Sequence, residues 1–304
     1  MSSDLRTAAR GWRWGRTPLV PASAEPHRLP VEDRVFPTDW ARSPAAVAVR
    51  GAVQRYGLRP LVHSQLRVQV EGLEALRDLR GPVVFVSDHT SHLDAPLVLT
   101  TLPERWRRRT AVAAAADYFF DTWPRAVGST MAFSTFPMER RAGGAATAAE
   151  LLFEGWSLLV FPEGTRSRDG WAAPYKRGAA HLALTAGVPL VPIAVRGSFR
   201  AMPRGRAWPV SGRPAVRVRY GTAVHPLPGE DAAALTTRLR AQVSRLRDED
   251  ATDWYASMRR SADGATPSAA GPEASRWRRV WAATEPVAPV RTVQRRSAWR
   301  KRHR

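Results

Sequence analysis

The chain contains no cysteine, so no disulfide can staple its fold. That absence is compatible with a cytosolic setting. Lysine is almost as scarce: Lys176 and Lys301 are the two lysines among 47 basic residues. No apolar run approaches the roughly eighteen residues of a membrane-spanning helix, and no apolar core follows the first charges as in a signal peptide. This pattern predicts a protein made and kept in the cytoplasm. No G-x-S-x-G stretch occurs, which removes the nucleophile elbow of a serine hydrolase. Acidic residues number 27, and the formal net charge is +20.

Of the 304 residues, the stretch 66–250 is of ordinary single-domain size and can bury roughly 70% of its unfolded surface without help. Strand-like runs at 66–70, 82–87, 110–116, 157–161, 189–195 and 215–220 alternate with helical patterns at 92–102, 117–128, 143–155, 176–187 and 230–248. Such alternation predicts an α/β domain with a mostly parallel central sheet flanked by helices. Residues 1–38 are rich in proline and arginine and show no period, so they read as an irregular arm. Residues 39–65 read as an amphipathic helical region, with Trp40, Val47, Val49, Val53, Leu58, Leu61 and Val62 on apolar faces beside Arg42, Arg50, Arg55 and Arg59. This region either lies on a bilayer or packs on the sheet. Residues 251–304 read as a basic tail, disordered in solution; from Arg276 to Arg304 it holds ten basic residues against Glu285.

Two segments carry chemistry. Asp88-His89-Thr90-Ser91-His92-Leu93-Asp94 follows the apolar run Pro82–Val86. On one continuous helix, positions five apart lie about 140° apart, so His89 and Asp94 meet only if His89 sits on the loop leaving a strand and a helix starts near Asp94. Asp94 then fixes the imidazole tautomer, and the other ring nitrogen takes a proton from an incoming hydroxyl. The plainer reading stays open at this point: Ser91-x-x-Asp94 fits a capping box, which makes Asp94 a helix cap and His89 a loop residue. The second segment, Phe161-Pro162-Glu163-Gly164-Thr165-Arg166-Ser167, turns the chain out of the apolar run 156–161. Gly164 permits close backbone approach, Thr165 and Ser167 offer hydroxyls, and Arg166 offers a planar fork for phosphate oxygens. Lys176 opens the next helical pattern, where a helix N-terminus adds partial positive charge.

These residues resemble the glycerophospholipid and lysophospholipid acyltransferases, the family of 1-acylglycerol-3-phosphate acyltransferase. His89 and Asp94 match that family's H-x4-D motif, and Phe161 to Ser167 match its F-P-E-G-T-R-S block. Between them, Phe136-Pro137-Met138-Glu139-Arg140 is similar to the second block, and Val188 to Val195 to the fourth; the likeness covers roughly 66–228. Two positions depart from the pattern: Asp88 stands where asparagine is common, and Glu139 where aspartate is usual. Asp88 puts a second carboxylate beside His89 and raises the histidine pKa if it lies close.

The resemblance implies that 66–250 is an acyltransferase domain that moves a fatty acyl group from acyl-CoA or acyl-carrier protein to the free hydroxyl of a lysophospholipid. Its first-choice acceptor is 1-acylglycerol-3-phosphate, which gives phosphatidic acid. His89 is the base and Asp94 its orienter. Arg140, Glu163, Gly164, Thr165 and Arg166, with Lys176 nearby, hold the acceptor phosphate. No metal or prosthetic group is implied. Such substrates live in a bilayer, so the chain is expected to be peripheral on the inner face of the cell membrane, with an anionic membrane surface as partner and no specific nucleic acid. The tail tryptophans among arginines suit that surface, though the same composition binds nucleic acid non-specifically or is simply solvated. Another lysolipid or glycolipid acceptor is the nearest alternative. A metal-dependent phosphoesterase built on Asp88, His89, His92 and Asp94 lacks a second ligand cluster. A nucleic-acid-binding protein explains the charge but not the four ordered blocks.

Overall fold

The computed structural model describes residues 38–115, 123–138 and 143–285. The expected irregular arm therefore lies outside the described residues, apart from Thr38. Among the described residues seven strands form one sheet: β1 (Arg67–Glu71), β2 (Val84–Ser87), β3 (Thr110–Ala115), β4 (Thr135–Met138), β5 (Ser157–Val160), β6 (Leu190–Arg196) and β7 (Ala215–Tyr220). Their order is β1-β7-β6-β2-β5-β3-β4. Every pairing is parallel except β6 with β7. All six strand-like runs of the sequence are strands. β4 was not among them, because Thr135 and Pro137 interrupt its four residues and leave only Phe136 and Met138 as apolar side chains. It is an edge strand.

Alternation along the central strands explains why the sheet is buried on both faces. Phe85, Leu159, Val191, Ile193 and Val195 belong to one apolar cluster, whereas Val84, Val86, Leu158, Val160 and Leu190 belong to the other. Side chains two apart share a face, so each strand feeds both layers. Helices cover these layers: α1 (Pro44–Ala52), α2 (Arg59–Gln65), α3 (Asp94–Thr101), α4 (Glu104–Arg107), α5 (Trp123–Phe133), α6 (Gly143–Phe153), α7 (Gly178–Ala186), α8 (Ser198–Ala201) and α9 (Ala232–Ala251). Of the helical pattern at 117–128, residues 117–122 lie outside the described residues; the helix there runs Trp123–Phe133.

The region 39–65 is a helix pair joined by a π-helical turn, Val53–Leu58. It packs inward through Ala41, Ala46, Gln54 and Val62 and leaves Val49, Val53, Tyr56 and Leu61 exposed. The packing reading thus holds for one face of this region, and the other face is exposed.

The expected disordered tail needs correction. Past α9 the chain forms α10 (Trp254–Ala262) and α11 (Arg276–Ala283), and only residues 286–304 of the tail lie outside the described ones. Composition suggested disorder because the stretch from about Tyr255 is rich in Ala, Pro, Ser and Arg. What holds it is polar: Arg279 donates to Asp169, Ala270 and Pro272, and its carbonyl accepts from Trp171.

Candidate active site

β2 lies at the middle of the sheet, with β5 on one side and β6 on the other, all parallel. The loops leaving their C-terminal ends therefore converge, which is where open α/β sheets place their sites. The loop after β2 carries His89 and runs into α3 at Asp94; the loop after β5 carries Phe161 to Ser167.

His89 Nδ1 lies 3.2 Å from Asp94 Oδ2. Asp94 is fully buried, and the same Oδ2 also accepts the backbone N–H groups of Thr90 (2.7 Å) and Ser91 (2.8 Å). Asp94 thus braces the loop ahead of its helix and touches the imidazole at once; the helix itself has Leu93 as N-cap with no side-chain cap, so the capping reading of the sequence is not met. With Nδ1 engaged, Nε2 is the free nitrogen of the ring. The opposite ring contact comes from Phe161, stacked at 4.1 Å between centroids with planes 20° apart. The His89 backbone is pinned at both ends: its N–H donates to Glu163 Oε1 (2.8 Å), and its carbonyl accepts from the Ser167 N–H (2.7 Å).

Glu163 is where geometry departs from the motif's expected role. Its side chain is buried, Oε1 accepts from His89 and Oε2 from the Ala173 N–H at 2.9 Å. Both oxygens brace backbone, so Glu163 ties the two loops together instead of facing an acceptor phosphate. Burial, and after it the nearby Asp88 charge, pushes its carboxyl up to about 8.

Asp88 does not flank the imidazole. Its Oδ1 accepts from the Tyr175 hydroxyl (2.5 Å) and its Oδ2 from Arg247 Nη1 (2.7 Å). A buried carboxylate needs such a partner, and Arg247 is supplied by α9, far along the chain. His92 is half-buried. Burial, and after it the Arg166 guanidinium nearby, pushes it down to about 4.

On the outer side of these loops lie Gly164, Thr165, Arg166 and Lys176. Gly164 has φ +69°, and a Cβ built there would fall 2.8 Å from Lys176 Nζ, so glycine is what lets the ammonium lie on the loop backbone. The Lys176 N–H in turn donates to the Pro162 carbonyl at 2.9 Å. Arg166 is close enough to His92 to bias its protonation. The loop after β5 thus gathers the Arg166 and Lys176 cations and the Thr165 hydroxyl, a setting suited to an anion. Arg140 and Glu139 lie outside the described residues.

Of the four ligand-type residues of the metal reading, Asp88 is engaged by Arg247 and Tyr175, and Asp94 Oδ2 by His89, Thr90 and Ser91. Among the described residues no group of three or more His, Cys, Asp or Glu side chains is arranged to hold a metal ion. Sequence reasoning passed over Phe161 as a ring partner, although it stands in the motif. It also missed Tyr175 and Arg247, for which no spacing gives a signal.

Residues 67–196 match the family model described as Acyltransferase. The chain is 32% identical over 195 residues to the mouse protein named 1-acyl-sn-glycerol-3-phosphate acyltransferase alpha, covering 62% of this chain and 66% of that one. It is 29% identical over 184 residues to the chloroplastic 1-acyl-sn-glycerol-3-phosphate acyltransferase LPAT1 of Arabidopsis thaliana, covering 60% and 49%. The chain thus spans less than two thirds of the length of these curated relatives. Among solved structures, the 1-acyl-sn-glycerophosphate acyltransferase PlsC from Thermotoga maritima shares the fold, with a TM-score of 0.54 at 24% identity over 71% of this chain and 84% of that one.

Proposed function

We propose, from an acyltransferase-family domain at residues 67–196, that this chain esterifies the free hydroxyl of a lysophospholipid with an acyl group taken from a thioester, acyl-CoA or acyl-carrier protein. The acceptor is 1-acylglycerol-3-phosphate and the product phosphatidic acid, by analogy with the names of the relatives. The observation that supports this best is the His89–Asp94 contact at 3.2 Å, set beside Gly164, Arg166 and Lys176.

In the proposed step His89 Nε2 takes the hydroxyl proton as that oxygen attacks the thioester carbonyl carbon. Asp94 holds the ring and balances the imidazolium. The C–O bond forms, the C–S bond breaks, and the imidazolium returns its proton to the departing thiolate. Arg166, Lys176 and Thr165, joined by Arg140 in the family's pattern, hold the acceptor phosphate, while Glu163 supports the His89 backbone from behind. The proposal calls on no prosthetic group; the thioester is a substrate. We place the chain at the inner face of the cell membrane as a peripheral protein. No helix among the described residues is long and apolar enough to cross a bilayer.

The test is acyl transfer by the purified protein against a panel of lysolipids with each donor. General-base catalysis contributes roughly 10²- to 10⁴-fold, so His89→Ala should lose transfer to that extent with the fold intact, and His92→Ala should lose far less. An essential His92 with a dispensable His89 would sink the assignment.

A further inference from the structure

α11 carries its large side chains on the wrong side for a helix that only packs. Its inward face is small or polar: Ala283 abuts Gly170, where a Cβ would come within 2.5 Å of it, and Arg279 is spent on hydrogen bonds to the body of the protein. The outward face holds Trp277 and Trp281, one helical turn apart, 66% and 67% exposed. Arg278 lies with its guanidinium 5.2 Å from the Trp277 ring centre, and Arg276 is exposed beside them. No acidic residue occurs within α11; Glu273 and Glu285 flank it. Paired exposed tryptophans among arginines are costly in water and suited to the headgroup layer of an anionic bilayer.

The same helix is bolted to the candidate site. Arg279 Nε donates to Asp169 Oδ2 at 2.6 Å. Asp169 Oδ1 accepts from the Ser167 hydroxyl at 3.2 Å, and the Ser167 N–H donates to the His89 carbonyl at 2.7 Å. Burial works against the Asp169 charge, but the bonds from Arg279, Trp171 and Ser167 outweigh it and hold the carboxyl below its ordinary range.

We propose that α11 is a docking helix for an anionic lipid bilayer, clamped through Arg279 and Asp169 to the loop that holds His89, so that the site opens onto the membrane from which its acceptor comes. This deepens the lysolipid reading above and rests on it. Trp277 and Trp281 supply the part of the binding that salt does not screen; Arg276 and Arg278 supply the part that it does.

The test uses the full chain and its W277A/W281A variant, whose changed side chains face outward and leave the fold alone. Both are co-sedimented with vesicles of phosphatidylcholine containing phosphatidylglycerol at about 0.15 M and about 1 M salt, where the Debye length falls from about 8 to about 3 Å. The variant should lose on the order of ten- to a hundredfold in partitioning at high salt, corresponding to about 1.4 kcal/mol per tenfold. Transfer to lysolipid embedded in vesicles should fall in parallel, and transfer to detergent-dispersed lysolipid should not change. Unchanged partitioning overturns the proposal. So does a variant that binds vesicles normally but loses salt-sensitive retention on DNA, or one that turns a dimer into a monomer. Vesicle binding that depends on the tryptophans without transfer to any lysolipid would leave the docking surface standing and remove the acyltransferase reading.

Discussion

Replacing Glu163 by glutamine keeps the shape of the side chain and removes one acceptor. The two carboxyl oxygens accept the His89 N–H at 2.8 Å and the Ala173 N–H at 2.9 Å, and glutamine has one oxygen, so the amide must turn its own N–H₂ toward one of them. A buried donor left without an acceptor costs about 1–3 kcal/mol. Wherever that cost falls, the two loops lose a strut, and the imidazole shifts relative to Asp94 and Phe161. A misplacement of about 1 Å at a reacting group costs on the order of 10²-fold in rate. Steady-state kinetics of Glu163→Gln should therefore show kcat down by about one to two orders of magnitude with the acceptor KM nearly unchanged. The reverse pattern, a raised acceptor KM with kcat preserved, would refute the bracing role and restore direct phosphate contact. A second readout follows from protonation. The carboxyl has an ordinary value of 4.5 and is pushed up to about 8 in the fold. Across that window the folded chain holds a proton that the unfolded chain has released, so stability falls as pH rises, by at most about 1.4 kcal/mol per unit. Below the window the contribution is fully present, and above it the contribution is lost. Urea midpoints of Glu163→Gln should lack this slope.

Arg166→Ala should raise the acceptor KM about 10- to 100-fold, the equivalent of losing a charge-assisted bidentate contact, with little change in donor KM; Arg166→Lys should recover only part, since the planar fork is gone. Equal effects on donor and acceptor would show that the loop does not hold the phosphate. Arg247→Met strands the Asp88 charge and should cost about 3–5 kcal/mol in chemical denaturation, whereas adding Asp88→Asn should recover most of it. Additivity of the two changes within about 0.5 kcal/mol would mean that the pair is not coupled.

What was legible in the sequence was local. The apolar runs gave six strands because strands buried on both faces need continuous apolar residues, and the H-x4-D spacing gave the dyad because a strand–loop–helix turn brings those two positions together. β4 was missed because only two of its four residues, Phe136 and Met138, are large and apolar, too few to read as a run. The long-range partners were invisible for another reason. Nothing near Asp88 indicates that its charge is met by Arg247, nor does anything near Arg279 indicate Asp169, since those pairings depend on how α9 and α11 return to the sheet. Composition also misread the start of the tail, because it measures apolar content and cannot register one arginine that satisfies four backbone and side-chain groups.

The order of the strands has a consequence for how the chain matures during synthesis. β1 pairs with β7 alone, the last of this sheet's strands in chain order, and β2 must wait for both β5 and β6 before it is flanked. Contacts so distant in sequence close late and slowly, and edges stay open meanwhile. The His89 loop is later still, because Asp88 finds its counter-charge only when residue 247 has been made, and the loop after β5 gains its Arg279 clamp after that. On the proposed function, a nascent chain bearing every motif residue is thus still an unfinished catalyst. Transfer should appear as a single event once residue 279 has been made, which leaves products stalled before it silent instead of partly active.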